Sequence, residues 1–186
     1  MKTNRFVLAS ASPRRREILS RILPAFEVIP SDADEHTEGL PPREAAEAVA
    51  VKKAESVFAR CPDAAVLGAD TVVAFEGCIL GKPKNARDAA ETLSMLSGKS
   101  HEVFTGWCLL APGYRASGAV RSAVEFNVLS DEFIRSYVAS GLPMDKAGSY
   151  GIQDDARIVK RYEGSFTNIV GLPEEEIKIQ LEKLVK

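Results

Sequence analysis

A short apolar run, Phe6-Val7-Leu8, leads almost at once to Ser12-Pro13, and this junction limits the fold more than any other stretch of the chain. The run reads as a buried strand. Ser12 and Pro13 read as a helix start, with serine at the N-cap and proline at the first helical position. Apolar Ile18, Leu19, Ile22 and Leu23 continue at helical spacing, so a strand–turn–helix unit is expected. Its charge runs the wrong way. The positive end of a helix favours carboxylates in the first turn, and a capping box places Glu or Gln three residues after the cap. Here that turn carries Arg14, Arg15 and Arg16. Each misplaced cation costs about 0.3–1 kcal/mol at an exposed site. A bound anion reverses the sign, because free backbone N–H groups, the Ser10 and Ser12 hydroxyls and guanidinium forks then all face phosphate oxygens. Arg14 and Arg15 are read as phosphate ligands and Arg16 as a solvated residue. The alternative is that the arginines pair with acids elsewhere.

The net charge of −2 gives no global basic field, so bulk nucleic-acid binding is not expected and any phosphate site must be a local cluster. Cys61, Cys78 and Cys108 are widely spaced with no CxxC, which argues for reduced thiols in a cytoplasmic protein and against a disulfide framework or zinc site. His36 and His101 are the only histidines, which argues against His-based metal ligation or a Ser-His-Asp triad. No apolar stretch approaches membrane-spanning length and the start is not a signal peptide, so no membrane association is expected. The length suits a single domain over residues 1–186, with room for two lobes around a cleft.

Along the chain, residues 26–29 read as a strand followed by an acidic loop bearing Asp32, Asp34 and Glu35. That loop is either solvated or able to hold a divalent cation, and the sequence favours neither. Residues 43–60 form an alanine-rich helix with an apolar stripe of Ala46, Val49, Ala50 and Val57. Lys53 lies on that stripe, where it either snorkels to solvent or lines a phosphate cleft; Lys52 reads as surface. A buried strand over residues 64–68 leads to Asp70, and Val72-Val73-Ala74-Phe75 resumes the apolar run. A carboxylate there is expensive unless paired, hydrogen-bonded or metal-bound, and a functional role is favoured over a structural one. Lys82 stands isolated in Gly81-Lys82-Pro83. An amphipathic helix over residues 85–96 ends at Gly98, and residues 101–110 and 119–129 read as long strands with His101 on the surface. A helix over residues 131–139, a glycine-containing polar loop over 144–153, a strand over 157–162 and a C-terminal helix opened by Gly171-Leu172-Pro173 complete the chain. Helices alternating with strands, and strand pairs in the middle, give an α/β protein with a mixed sheet. No Walker A motif or GxGxxG is present.

Ser10-Ala11-Ser12-Pro13-Arg14-Arg15, Gly68-Ala69-Asp70-Thr71, Gly81-Lys82-Pro83, Leu96-Ser97-Gly98, Asp145-Lys146-Ala147-Gly148, Tyr150-Gly151-Ile152-Gln153 and Asn168-Ile169-Val170-Gly171-Leu172-Pro173 follow one another in this order. Together they resemble the Maf family of nucleoside triphosphate pyrophosphatases over nearly the whole chain. The resemblance implies a two-lobed α/β fold with a long mixed sheet flanked by helices and a cleft between the lobes, often as a homodimer. It implies hydrolysis of a nucleoside triphosphate between the α- and β-phosphates with a divalent cation, Mg2+ or Mn2+ and also Co2+. Its functional set matches Ser10, Arg15, Glu35, Lys53, Asp70 and Lys82. Asp70 corresponds to the catalytic acid/base, acting directly or through a metal that it and Glu35 hold. Arg15, Lys53 and Lys82 would neutralise the triphosphate. Arg14, Thr71 and Gln153 match the branch acting on dTTP and UTP rather than on 7-methyl-GTP. Two other readings stay open: hydrolysis of damaged purine triphosphates such as ITP or XTP, and a nucleotide-responsive inhibitor of septum formation with a cell-division partner.

Overall fold

The structure is a computed structural model that describes residues 5–185. The chain runs β1 (Phe6–Leu8), α1 (Pro13–Ser20), β2 (Glu27–Val28), α2 (Pro42–Phe58), β3 (Ala65–Phe75), β4 (Cys78–Leu80), α3 (Ala86–Leu96), β5 (Ser100–Ala111), β6 (Tyr114–Phe126), α4 (Asp131–Ala139), two 3-10 turns at Leu142–Asp145 and Ala147–Ser149, β7 (Val159–Glu163), α5 (Phe166–Val170) and α6 (Glu174–Val185). Small polar side chains begin four of the helices. Ser12, Asn85, Ser130 and Ser165 each accept a first-turn N–H, as N-caps do. Among the described residues no helix is long and apolar enough to cross a membrane.

The strands form one mixed sheet in the order β2-β1-β3-β5-β6-β7, with β4 added to the far end of β3. β1 is parallel to β2 and β3, and the other pairings are antiparallel. β3 is the strand that makes the site. On one side β5 pairs with it continuously from Val66 to Ala74. On the other side β1 leaves after Leu67 and β4 joins only at Val73. The edge between them is open to a cleft, and Asp70 and Thr71 stand on it. β3 therefore runs unbroken through Asp70, where the apolar pattern alone suggested an interruption.

Alternate residues of β3 face opposite layers. α2 covers the face of Gly68 and Asp70, and it lies backbone-to-sheet. A Cβ at Gly68 would stand 2.3 Å from the Ala50 carbonyl oxygen, and one at Gly106 would stand 2.1 Å from that of Ala46. Only glycine permits this approach, which lowers Lys53 onto the sheet. The opposite face carries two apolar clusters. One packs Ala65, Leu67, Trp107 and Leu109 under α1 and α6; the other packs Val73, Val103, Val124 and Phe126 under α3 and α4. A polar layer of Thr71, Thr105 and Asn168 lies between them.

Several boundaries differ from the sequence expectation. α1 stops at Ser20, and Ile22 and Leu23 pack from the turn after it. β6 begins at Tyr114, five-residue α5 has no counterpart in the periodicity, and β7 covers Val159–Glu163. His101 is not a surface residue. It is buried in β5, edge-on to Phe126 and Tyr150, with Nε2 2.8 Å from the Tyr150 hydroxyl. At this end of β5 the faces do alternate, with Ser100 and Glu102 outward and His101 and Val103 inward, but a histidine does not read as an apolar residue. Burial holds the His101 imidazole down to about 4, so it folds neutral. The unfolded chain takes up that proton near pH ~6.5, so the penalty is absent above that pH and grows as pH falls, reaching about 3 kcal/mol by pH ~4. Denaturant titrations between those pH values are expected to show a flatter pH slope for His101→Phe than for the native protein. An unchanged slope would contradict the neutral assignment.

Candidate active site

The open edge of β3 forms the floor of a cleft of about 440 Å³, within the range of small-molecule sites. Its walls come from the start of α1, the loop before α2, α2 itself, the segment after β4, the 3-10 turns and the segment leading to Gln153. Arg14, Arg15, Glu35, Lys53, Asp70, Thr71, Lys82 and Gln153 all line it. Ser10 does not. It is buried behind Arg15, and its hydroxyl accepts from Arg15 Nη1 at 3.0 Å and from the Ser12 N–H at 3.3 Å.

The centre is a three-charge cluster. Lys53 Nζ lies 2.7 Å from Asp70 Oδ1 and 2.8 Å from Glu35 Oε1. Lys53 is 8% exposed, so the lysine on the apolar stripe does not snorkel out but is held by two carboxylates. Of the ways to offset a carboxylate in apolar surroundings, Asp70 shows pairing, with Lys53. The acidic loop divides by role. Asp32 accepts from the Ser56 hydroxyl, Asp34 caps the His36 N–H, and Glu35 alone turns into the cleft. Desolvation acts to raise the Glu35 carboxyl, but the Lys53 hydrogen bond and the charges of Lys53, Lys82 and Arg15 hold it below the usual carboxylate range.

Arg15 is fixed by three acceptors. Nε donates to the Gly171 carbonyl at 2.9 Å, Nη1 to Ser10 and Nη2 to Thr71 Oγ1 at 3.1 Å. A guanidinium has five N–H donors, so two remain for a ligand. Desolvation lowers the Arg15 pKa, opposed by Asp70 and Glu35. An arginine so placed still carries its charge. Thr105 Oγ1 donates its one proton to the Asn168 carbonyl at 2.8 Å. In the 3.0 Å contact between the two threonines, Thr71 must then be the donor. The Thr71 hydroxyl thus accepts from Arg15 Nη2, and its own proton faces Thr105 Oγ1 at 3.0 Å and the Gly171 carbonyl at 3.5 Å.

Arg14 lines the cleft and is paired there with an acid. Nη1 pairs with Asp145 Oδ2 at 2.9 Å, joining α1 to the 3-10 turn across the cleft. Arg16 is exposed outside the cleft. Asp145, Lys146 and Tyr150 also line the site. They lie in two of the short motifs in the sequence, but nothing local gave them a role.

Carboxylates, lysines and arginines converging on one open strand edge agree with the motif order in the sequence. A profile of the Maf-like protein family matches residues 5–184. This chain belongs to the Maf family. Its sequence is 47% identical to the dTTP/UTP pyrophosphatase of Thermococcus gammatolerans over 92% of both chains. It is 48% identical to that of Thermococcus kodakarensis, again over 92% of each. With the dTTP/UTP pyrophosphatase of Moorella thermoacetica the identity is 46%, over 98% of this chain and 94% of that one. Among solved structures, the Staphylococcus aureus Ham1 protein aligns with a TM-score of 0.47 and 15% identity over 69% of this chain and 73% of that chain.

Proposed function

We propose that this Maf-family chain is a nucleoside triphosphate pyrophosphatase acting on dTTP and UTP. The reading is carried by one observation: the Glu35 and Asp70 carboxylates meet at Lys53 Nζ in a cleft also lined by Arg15, Lys82 and Gln153. The names of the relatives support the substrate pair.

Water attacks phosphorus, its oxygen forms the new P–O bond, the Pα–O–Pβ bridge breaks, and monophosphate and pyrophosphate leave. Asp70 takes the proton of the attacking water. Arg15 offers its two uncommitted N–H groups to phosphate oxygens, and Lys53 and Lys82 offset the charge that gathers on the leaving pyrophosphate. Two carboxylates that already share one cation suit a divalent metal, and Asp70 and Glu35 would hold it. No group of three or more potential ligands occurs among the described residues, so phosphate and water oxygens would complete the shell, as Mg2+ commonly requires. Such an ion supplies charge neutralisation and a more acidic bound water.

Gln153 is exposed on the wall of the same cleft. Its amide carries both a donor and an acceptor, so it can meet N3–H and a neighbouring carbonyl of uracil or thymine together. Pyrophosphate release measured over a nucleotide panel is expected to give high, similar kcat/KM for dTTP and UTP and low values for ATP and GTP. Gln153→Glu offers only acceptors, which suits the paired N1–H and N2–H donors of guanine but sets an acceptor against a carbonyl of uracil or thymine, so it is expected to impair the two pyrimidines selectively. A purine preference, or an unchanged preference in Gln153→Glu, would contradict the assignment.

A further inference from the structure

Gln153 sits on a turn, and what holds that turn is a line of buried and half-buried charge. The Asp154 N–H donates to the Gly151 carbonyl at 3.0 Å, closing the turn with Gln153 in its third position. Gln153 is exposed, whereas the Asp154 side chain beside it is only 8% exposed. The carboxylate lies hard against the start of the turn, where a Cβ on Gly151 would fall 2.6 Å from Asp154 Oδ1. Asp154 Oδ2 accepts from the Tyr137 hydroxyl at 2.6 Å and lies 3.3 Å from Lys146 Nζ. The same phenol oxygen accepts the Gly151 N–H at 3.2 Å. Both ends of the turn are thus pinned to one tyrosine on α4. Lys146 Nζ also donates to Asp145 Oδ1 at 2.9 Å, and Asp145 Oδ2 receives Arg14. Charges of alternating sign therefore run from the start of α1 to the foot of the Gln153 turn.

We propose that Asp154 is a positioning residue for base selection: with Tyr137 and Lys146 it sets how far the Gln153 turn reaches into the cleft. The proposal rests on the reading of Gln153 as the base-facing residue. Uracil and guanine present the same carbonyl and N–H pair to an amide. Hydrogen bonding by Gln153 cannot alone separate one ring from two, and the room left by the turn must do so. A nearly buried ion pair is a costly way to stabilise a surface turn, because desolvation offsets most of its attraction. What such a pair does supply is a fixed position.

The test is kcat/KM for UTP and for GTP in the native protein and in Asp154→Ala, Tyr137→Phe and Gln153→Ala. Asp154→Ala is expected to lower the UTP/GTP ratio by about tenfold or more, a size typical of pocket discrimination. Most of the loss should appear as a higher KM for UTP, with kcat less affected, because the Lys53 cluster is untouched. Tyr137→Phe keeps the ring stacked on Phe133 and is expected to change the ratio in the same direction. If Asp154→Ala does not fold, Tyr137→Phe decides on the same ratio. A lower melting temperature with an unchanged ratio in both variants overturns the proposal, since Asp154 would then act on stability alone. A ratio that falls in Gln153→Ala but in neither of the other two overturns the proposal and leaves the reading of Gln153 standing. A kcat/KM for UTP unchanged in Gln153→Ala overturns that reading and the proposal with it.

Discussion

Asp70→Asn is expected to lower kcat for UTP by about 10²–10⁴-fold, the loss typical of a missing general base. The substitution preserves shape and leaves Lys53 paired with Glu35, so the variant should remain folded. It is not expected to gain stability, because Asp70 is already paired with Lys53 at 2.7 Å. Removing one partner of a buried pair leaves the other less compensated. Calorimetric titration of the same variant with Mn2+ separates the two roles open to Asp70. Lost binding identifies a metal ligand, and retained binding with lost turnover identifies the base. Turnover close to native would contradict both.

Arg15→Ala is expected to have the second largest effect. A charge-assisted hydrogen bond to phosphate is worth about 1.5–3 kcal/mol, or about ten- to a hundredfold in kcat/KM. Arg15→Lys should not restore it. The guanidinium reaches Gly171, Ser10 and Thr71 with three separate nitrogens, and an ammonium cannot reproduce that fork. Stability should also fall, by about 1–3 kcal/mol for each partner left buried and unsatisfied. Arg16→Ala, on the exposed side of the same helix, is expected to change neither quantity. Steady-state kinetics and thermal melts of the three variants provide the check, and equal kinetic effects at Arg15 and Arg16 would contradict the assignment.

Much of the site shows in the sequence as charge in the wrong surroundings. Lys53 on an apolar stripe, Asp70 in an apolar run and arginines at a helix start all conflict with local physical rules. The motif order then points to the residues that line one cleft. What the sequence conceals is who pairs with whom. Lys53 meets Asp70 because Gly68 and Gly106 let α2 rest on the sheet, and no pattern within either segment encodes that contact. The cleft exists because β1 and β4 leave part of β3 uncovered, which is a matter of strand register. Arg14 finds its acid 131 positions away, and a charge pattern read locally cannot choose between phosphate and such a partner. Short elements are also lost, since the five residues of α5 span too few turns to show a period. His101 is hidden for another reason: it shares the inward face of β5 with Val103, opposite Ser100 and Glu102, but its polar ring masks that alternation.

The cluster around Lys53 is proposed to cleave a pyrimidine triphosphate between its α- and β-phosphates. Phosphorus NMR of UTP incubated with the protein and a divalent cation tests this most directly, because the two modes of hydrolysis give different products. UMP and pyrophosphate are expected in equal amounts, with the signals absent for Asp70→Asn on the same timescale. UDP and inorganic phosphate, or intact UTP under conditions where the protein is folded, would contradict it.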